Sequence, residues 1–464
     1  ISLQMPLSIW SFPSTSSTPF CSPLLLPNHG IRTVEARAFT PSYWGSRANI
    51  LAIRKTRPPS ASSSSSSSSS DSTKLLTFLG KGGSGKTTAA IFAAQHYSMK
   101  GFKTCLVIQS QDPSAEYLLN CKISSTPAVL GENFSVVRME TTKIMLQPLE
   151  WLKRADSRLK MTQGVLEGVV GEELGVLPAM DSILGAFHLG LKAGILNDDK
   201  AAYDIVIYDG MSTDETLRLI GAASKAKLYL KYMKSLAERT EIGRVIGPSI
   251  LSVVDEAMKQ SLRGYKQGNT STEIWYALEN TLEKWALRFS GSNAFNCFLT
   301  LDPTNIMSIN AACRYWGCTI QAGCGVSGVV GFGSPSLSAK EEIREKFAPL
   351  KVSFVPGIVP DKPLDWRSIM GEKGSEVSRS FFSSAISGDS NDILPVKIDV
   401  GSRSVTLFMP GFDKKEIKLY QYRGGEELLI EAGDQRRVVN LPRQLHGKVS
   451  AAKFVGRDLI VKIG

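Results

Sequence analysis

Hydrophobic positions follow three regimes along the chain. The first is a set of short apolar runs, each closed by a glycine or an acid. Leu75-Leu76-Thr77-Phe78-Leu79 runs into Gly80, Lys103 to Ser110 ends at Gln111-Asp112-Pro113, and Tyr203 to Tyr208 ends at Asp209-Gly210. Such runs predict buried strands of a mostly parallel sheet. The second regime has helical period. Ala89 to Met99 places Ala90, Ile91, Ala94 and Tyr97 on one face, and two longer stretches at about 127–200 and 233–290 follow the same spacing. The earlier stretch carries Leu177, Met180, Ile183, Leu184, Phe187, Leu189, Leu191 and Ile195. Its longest uncharged run, Ser182 to Leu191, is far short of the ~20 residues of a membrane span, so core helices are the plain reading.

The third regime has a period of two. Val396/Ile398/Val400, Val405/Leu407/Met409, Leu428/Ile430 and Leu459/Val461/Ile463 alternate with other residues, and Pro410-Gly411, Gly424-Gly425 and Gly433-Asp434 mark turns. This predicts a small β-sandwich of four to seven strands over 393–464. A Ser-rich polar stretch at 371–392 reads as the linker before it. The expected fold is therefore α/β over 73–370, with an inserted helical subdomain, followed by an all-β domain.

Composition changes the picture mainly at the N-terminus. Residues 1–31 carry no Lys, Arg, Asp or Glu, and Pro6, Pro13, Pro19, Pro23 and Pro27 interrupt them. Arginines then accumulate, and an unbroken serine run spans Ser62–Ser70. This pattern argues against a spanning helix and against a secretory signal; residues 1–72 read as a transit peptide and Ser-rich linker, of chloroplast (stromal) type before mitochondrial. The net charge of +11 is carried by the two ends, +5 in 1–70 and +5 in 393–464, leaving about +1 for 71–392. No basic footprint for a polyanion lies on the central body, which argues against nucleic-acid binding. The seven cysteines (Cys21, Cys105, Cys121, Cys297, Cys313, Cys318, Cys324) include no C-x-x-C pair. They read as reduced thiols of the protein body, with a metal shared between two subunits as the alternative.

The strongest chemistry follows the first strand. Gly80-Lys81-Gly82-Gly83-Ser84-Gly85-Lys86-Thr87-Thr88 opens directly into a helix, which is the context that G-x-x-x-x-G-K-[ST] requires. The glycines let successive backbone N–H groups close around phosphate, and the helix N-terminus adds its positive end. These nine residues are the predicted ATP site of a P-loop NTPase, with Lys86 on the β- and γ-phosphates and the Thr87 hydroxyl on Mg²⁺. Asp209, at a strand end, suits the carboxylate that holds the Mg²⁺ shell through water, and Asp112 could orient the attacking water.

At these residues the chain resembles the arsenite-pump and tail-anchored-protein-targeting ATPases. The second lysine of the loop, Lys81, gives the deviant G-K-G-G-x-G-K-[ST]-[ST] form; Asp112-Pro113-Ser114 aligns with the family's D-P-A switch. Tyr203 to Asp209 aligns with its Y-D-x-I-V-x-D strand, and Thr216-Leu217-Arg218-Leu219 with the helix that follows. The resemblance implies a homodimeric ATPase in which Lys81 reaches the partner's nucleotide and Asp112 positions water. It also implies a hydrophobic groove, formed by the inserted helices, for apolar helix clients, with peripheral membrane association; Leu184 and Phe187 are its candidate lining.

The sequence departs from that family in three places. The segment Gly210 to Thr216 replaces the family's T-A-P-T-G-H-T, no zinc-binding C-x-x-C is present, and Thr319 to Gly333 has no Asn to read adenine. The alternatives are a nucleotide-gated binding module with negligible hydrolysis and the ATPase subunit of a metalloid pump. In the last domain, Leu407 to Phe412, Ile417, Leu441-Pro442 and Ala452-Lys453-Phe454 resemble the α-crystallin domain of small heat-shock proteins.

Overall fold

The computed structural model describes residues 73–161, 179–192, 202–290, 295–355, 364–371, 379, 381–383, 393–432 and 435–464. The expected transit segment 1–72, Leu177, Ile195, most of the 371–392 linker and the Gly433-Asp434 turn lie outside the described residues.

The apolar runs do form the centre of one sheet. Its strands are β1 (Lys74–Leu79), β2 (Thr104–Ile108), β3 (Ala128–Gly131), β4 (Phe134–Arg138), β5 (Ile205–Asp209), β6 (Phe295–Leu301), β7 (Gly325–Phe332) and β8 (Val352–Val355). They lie in the order β3-β4-β2-β5-β1-β6-β7-β8, and all adjacent pairs are parallel except β3 with β4. Strands β1, β2, β5 and β6 are almost wholly buried, as helices on both faces require. Helix α1 (Lys86–Met99) leaves the phosphate loop one turn earlier than its apolar spacing suggested.

The helical stretch expected from residue 127 does not begin there: 128–138 forms β3 and β4. The β-branched and aromatic residues of Phe134–Arg138 pair in register with β2 through Val136 and Val137, and this tertiary pairing decides the segment. Among the described residues the insertion before β5 holds α2 (Thr141–Leu159) and α3 (Met180–Lys192). After β5 come α4 (Thr213–Ile220), α5 (Ala222–Arg239), α6 (Glu241–Ser261) and α7 (Ser271–Ser290), so helix also begins earlier than residue 233. Leu251, Ile274, Trp275 and Leu278 give α5–α7 a small core of their own.

Leu184 and Phe187 of α3 are half-buried and packed against the main core. The Phe187 ring meets Trp285 edge-on at 5.9 Å and Trp151 at 6.1 Å.

The β domain is an antiparallel sandwich. Four strands, β9 (Val396–Asp399), β10 (Ser404–Phe408), β14 (Val449–Val455) and β15 (Asp458–Ile463), form one sheet. Three, β11 (Ile417–Tyr422), β12 (Glu427–Ala432) and β13 (Gln435–Asn440), form the other. Val405, Leu407, Leu428, Ile430, Leu459, Val461 and Ile463 are buried as the alternation predicted. Ile398 and Val400, on and just after the edge strand β9, are exposed instead.

The domain is not a free appendage. Helix α8 (Ile306–Ala322) lies against it: Gln321 Nε2 donates to Pro395 O and Phe408 O, each at 2.9 Å, and Trp316 meets Phe408 at 4.9 Å. Arg314 pairs with Glu416 at 2.6 Å.

The polar linker hides an anchor. Phe382 is fully buried among Phe78, Phe92 and Phe298, with ring centroids 6.1, 5.9 and 5.3 Å away. Tyr97 Oη donates to Phe382 O at 3.1 Å, and His96 Nε2 lies 3.1 Å from Ser383 Oγ. Burial, with the charges of Lys100 and Arg379, pushes the His96 ring down to about 4, so it is neutral near pH 7. Phe382→Ala is expected to cost about 3–5 kcal/mol of stability, read by denaturant unfolding.

Candidate active site

The ends of β1, β5, β6 and β7 meet the loop 80–88, through Gly80, Asp209, Thr300 and Phe332. Gly80 follows β1 directly, between β5 and β6, and the chain has no room there for a side chain. A Cβ on Gly80 would stand 2.3 Å from both Ser84 Oγ and Thr300 Oγ1. Gly85 is left-handed (φ +86°), and a Cβ there would meet the Phe332 ring at 2.5 Å. Only glycine meets both demands. The loop closes through Ser84 N to Lys81 O (3.0 Å), and α1 starts with Ala89 N donating to Gly85 O (2.8 Å).

Lys86, Thr87 and Asp209 meet as expected. The Thr87 hydroxyl hydrogen-bonds the Asp209 carboxylate, and Lys86 lies close enough to stabilise its charge. Burial dominates both groups. It pushes Asp209 up to about 6, against the pull of Thr87 and Lys86, and it lowers Lys86 from its usual range. Asp209 is 2% exposed, and its Oδ2 has no hydrogen-bond partner. A buried carboxylate oxygen without a donor, beside a threonine hydroxyl, fits a hydrated Mg²⁺. Asp209 and Thr87 would hold that ion, which when bound neutralises phosphate charge. Lys86 Nζ donates to Gly80 O at 3.3 Å, so the ammonium sits at the mouth of the loop.

Asp112 stands at the same carboxyl edge, beyond β2, which pairs with β5 through Ile108 and Asp209. It is exposed, and hydrogen bonds from the Ser114 hydroxyl and backbone keep its carboxyl below the usual range. Ser114 N donates to Asp112 Oδ1 at 2.7 Å. Lys81 is exposed on the loop, outside the Lys86–Thr87–Asp209 cluster.

Sequence reasoning missed Thr213 and Thr300. Thr213 Oγ1 accepts from Gly80 N (2.9 Å) and donates to Gly80 O (2.6 Å); Thr300 Oγ1 lies 2.8 Å from Ser84 Oγ. Both had signals. Ser212 caps α4, accepting from Glu215 N at 3.2 Å, so the residues after Asp209-Gly210 begin a helix over the loop. The apolar run ending Thr300-Leu301-Asp302-Pro303 repeats the strand-then-acid pattern of β2 and β5.

The geometry defines a P-loop NTPase: a mostly parallel sheet, a glycine loop at its centre, a helix-borne lysine and threonine, and a buried acid on the adjacent strand. Within that class, the chain carries an ArsA ATPase family domain and the HSP20-like domain found in ArsA. The anion-transporting ATPase family matches residues 73–283, and the HSP20-like domain matches 401–463. A Chlorobaculum tepidum protein named as an arsenical pump-driving ATPase is 24% identical over 403 residues, covering 81% of this chain and 91% of its own. One of Aquifex aeolicus is 23% identical over 417 residues, covering 84% and 99%. ATPase ASNA1 homolog 1 of Paramecium tetraurelia is 29% identical over 151 residues, covering 30% and 41%. Family and relatives alike are ATPases, and ATP is the nucleotide they imply.

Two outcomes test the site. Lys86→Ala is expected to lose ATP affinity or turnover by orders of magnitude, by nucleotide titration and phosphate release. Asp209 titrates at about 6, protonated below and charged above. The Mg²⁺-dependent part of nucleotide affinity is therefore full above that pH and lost as pH falls through it. Asp209→Asn is expected to abolish this pH dependence of the Mg²⁺ effect.

Proposed function

We propose that the protein is a homodimeric, Mg²⁺-dependent ATPase that acts as a chaperone or targeting factor for apolar helices of membrane proteins in an organelle, the chloroplast stroma before the mitochondrion. The observation that carries the client reading is the tip of the helical subdomain. Leu228, Tyr232, Met233 and Leu236 of α5 and Ile242, Val245 and Ile246 of α6 are all exposed, Ile242 by 73% and Val245 by 77%. Leu228, Tyr232 and Leu236 recur every fourth residue and so share a stripe. An apolar surface of this kind is unusual on a soluble monomer and suits an amphipathic or apolar helix laid along it. It replaces Leu184 and Phe187 as the proposed client face. Among the described residues no helix is long and apolar enough to cross a membrane.

Dimerisation is supported by the carboxyl edge of the sheet. Exposed Lys81 and Met211 share that edge with Ile306, Met307 and Leu337, which follow β6 and β7 and are also exposed. A second copy placed there brings Lys81 to the partner's phosphates and covers the apolar rim. Asp112 orients the attacking water at this site.

A binding module with negligible hydrolysis is the second reading. It is favoured by Thr213, whose hydroxyl bonds both polar groups of Gly80 and ties the altered segment 210–216 to the loop. A metalloid pump is less supported, because among the described cysteines Cys105, Cys297, Cys313, Cys318 and Cys324 are buried and Cys121 is partly buried.

Capture of a fluorescent apolar helix in the ATP, ADP and nucleotide-free states is the deciding experiment. Capture is expected to differ between states, since a ligand bound equally by both shifts nothing. Tyr232→Asp with Ile242→Asp is expected to abolish it, each apolar contact contributing ~1.5–3 kcal/mol. Equal capture in all states, or none, removes the client reading. Lys81→Met is expected to leave the fold intact and slow hydrolysis in the assembled dimer. A wild type that is monomeric with ATP bound and fully active sinks the cross-subunit role.

A further inference from the structure

The segment that carries Asp112 is held from outside at Leu118 O by Trp366 Nε1 (2.8 Å) and at three further points by Arg138. Arg138 closes β4, its own N–H bound to Ser124 O at 2.7 Å, and its guanidinium is only 11% exposed. A guanidinium so enclosed needs acceptors around its whole edge. It finds three, all in the stretch between β2 and β3. Nη1 donates to Ser110 O at 2.5 Å, Nη2 to Glu116 Oε1 at 2.8 Å, and Nε to Ile123 O at 3.3 Å. Glu116 Oε1 also accepts from Ile123 N at 3.2 Å.

These bonds form a closed circuit with Asp112 inside it. Ser110, held by its carbonyl, accepts at Oγ from Asp112 N (3.1 Å); Asp112 Oδ1 accepts from both the backbone and hydroxyl of Ser114. Ser114 opens the helical turns 114–119, and Glu116 in those turns returns the circuit to Arg138. Asp112 is exposed, and its hydrogen bonds run to Ser110 and Ser114. Its position relative to the phosphate loop is thus set through Ser110 on one side and Ser114 on the other, and Arg138 grips both sides.

We propose that Arg138 is a positioning residue for hydrolysis: it touches neither nucleotide nor water, and it acts by fixing the loop that aims the Asp112 carboxylate. This rests on the reading of Asp112 as the water-orienting acid. Lysine cannot replace it, because a point ammonium does not span three acceptors in one plane.

The test uses the full chain, single-turnover hydrolysis, binding of a fluorescent ATP analogue and amide hydrogen exchange. Arg138→Lys is expected to slow hydrolysis about tenfold or more with nucleotide affinity within about twofold, the split that marks loss of a transition-state interaction. Amides of 110–124 should exchange faster, and those of the loop 80–88 should not change. Glu116→Gln leaves Arg138 in place and is expected to act in the same direction, more weakly; it serves where Arg138→Lys fails to fold. In an Asp112→Asn background, Arg138→Lys should cause no further slowing, because residues acting as one unit are not additive.

Wild-type turnover and unchanged 110–124 exchange in Arg138→Lys overturn the proposal. Parallel losses of affinity and rate, or losses that multiply with Asp112→Asn, overturn it too, leaving Arg138 merely structural. Asp112→Asn with wild-type turnover overturns the reading of Asp112 and the positioning role with it. A slow Asp112→Asn beside a fast Arg138→Lys defeats the positioning role alone.

Discussion

The close approach at Gly80 is the constraint on which the site depends. The chain leaves β1 through a space bounded by Ser84, by Thr300 at the end of β6 and by Thr213 at the start of α4. Three elements from distant parts of the sequence therefore fix one residue. Thr213 satisfies both the N–H and the C=O of Gly80, Lys86 shares the carbonyl, and the Ser84–Thr300 bond sets the curl of the loop. Buried backbone groups at a strand end must find partners, and here the partners are the segments that would have to move if the loop responded to phosphate.

Asp209 is the electrostatic counterpart. Burial pushes it toward the neutral form, while Thr87 and the Lys86 ammonium pull it toward the carboxylate. One oxygen is used by Thr87 and the other is left bare. A group in that balance gains most from an arriving cation, which restores the solvation that burial removed. The charged exterior of the site is built differently. Asp112 is exposed, and its hydrogen bonds with Ser114 hold its carboxyl below the usual range.

Much of this was legible in the sequence where the determinants are local. The phosphate loop depends on nine consecutive residues with fixed backbone demands, so its chemistry survives translation into structure residue by residue. The β domain was legible because a period of two over short runs suits a half-buried strand and no helix. Legibility failed where tertiary pairing outweighs local pattern. Residues 128–138 are strand because β2 offers an open edge, which no periodicity in that segment announces. Leu184 and Phe187 share their helical spacing with groove residues and with core residues alike, and only the aromatic rings of Trp151 and Trp285 decide between them. The Phe381-Phe382 pair sits in a serine-rich stretch whose composition averages it away, although one fully buried aromatic is enough to tie the segment down.

That anchor changes how the two folded parts are connected. A flexible tether would let the β domain search space independently of nucleotide. Here the connection is pinned at Phe382 against α1, the helix that begins at the phosphate loop. The domain itself rests on α8, the helix that follows the strand bearing Thr300. Arg457 adds a second fastening: its guanidinium lies 5.2 Å from the centre of the Trp316 ring, and it donates to the Glu345 and Lys346 carbonyls. Both attachments thus end on elements one step removed from Gly80. Packed interfaces move as units rather than bending by degrees. A shift of α1 or β6 on nucleotide binding would therefore carry the β domain along, which makes it part of the ATPase body in mechanical terms despite its separate fold.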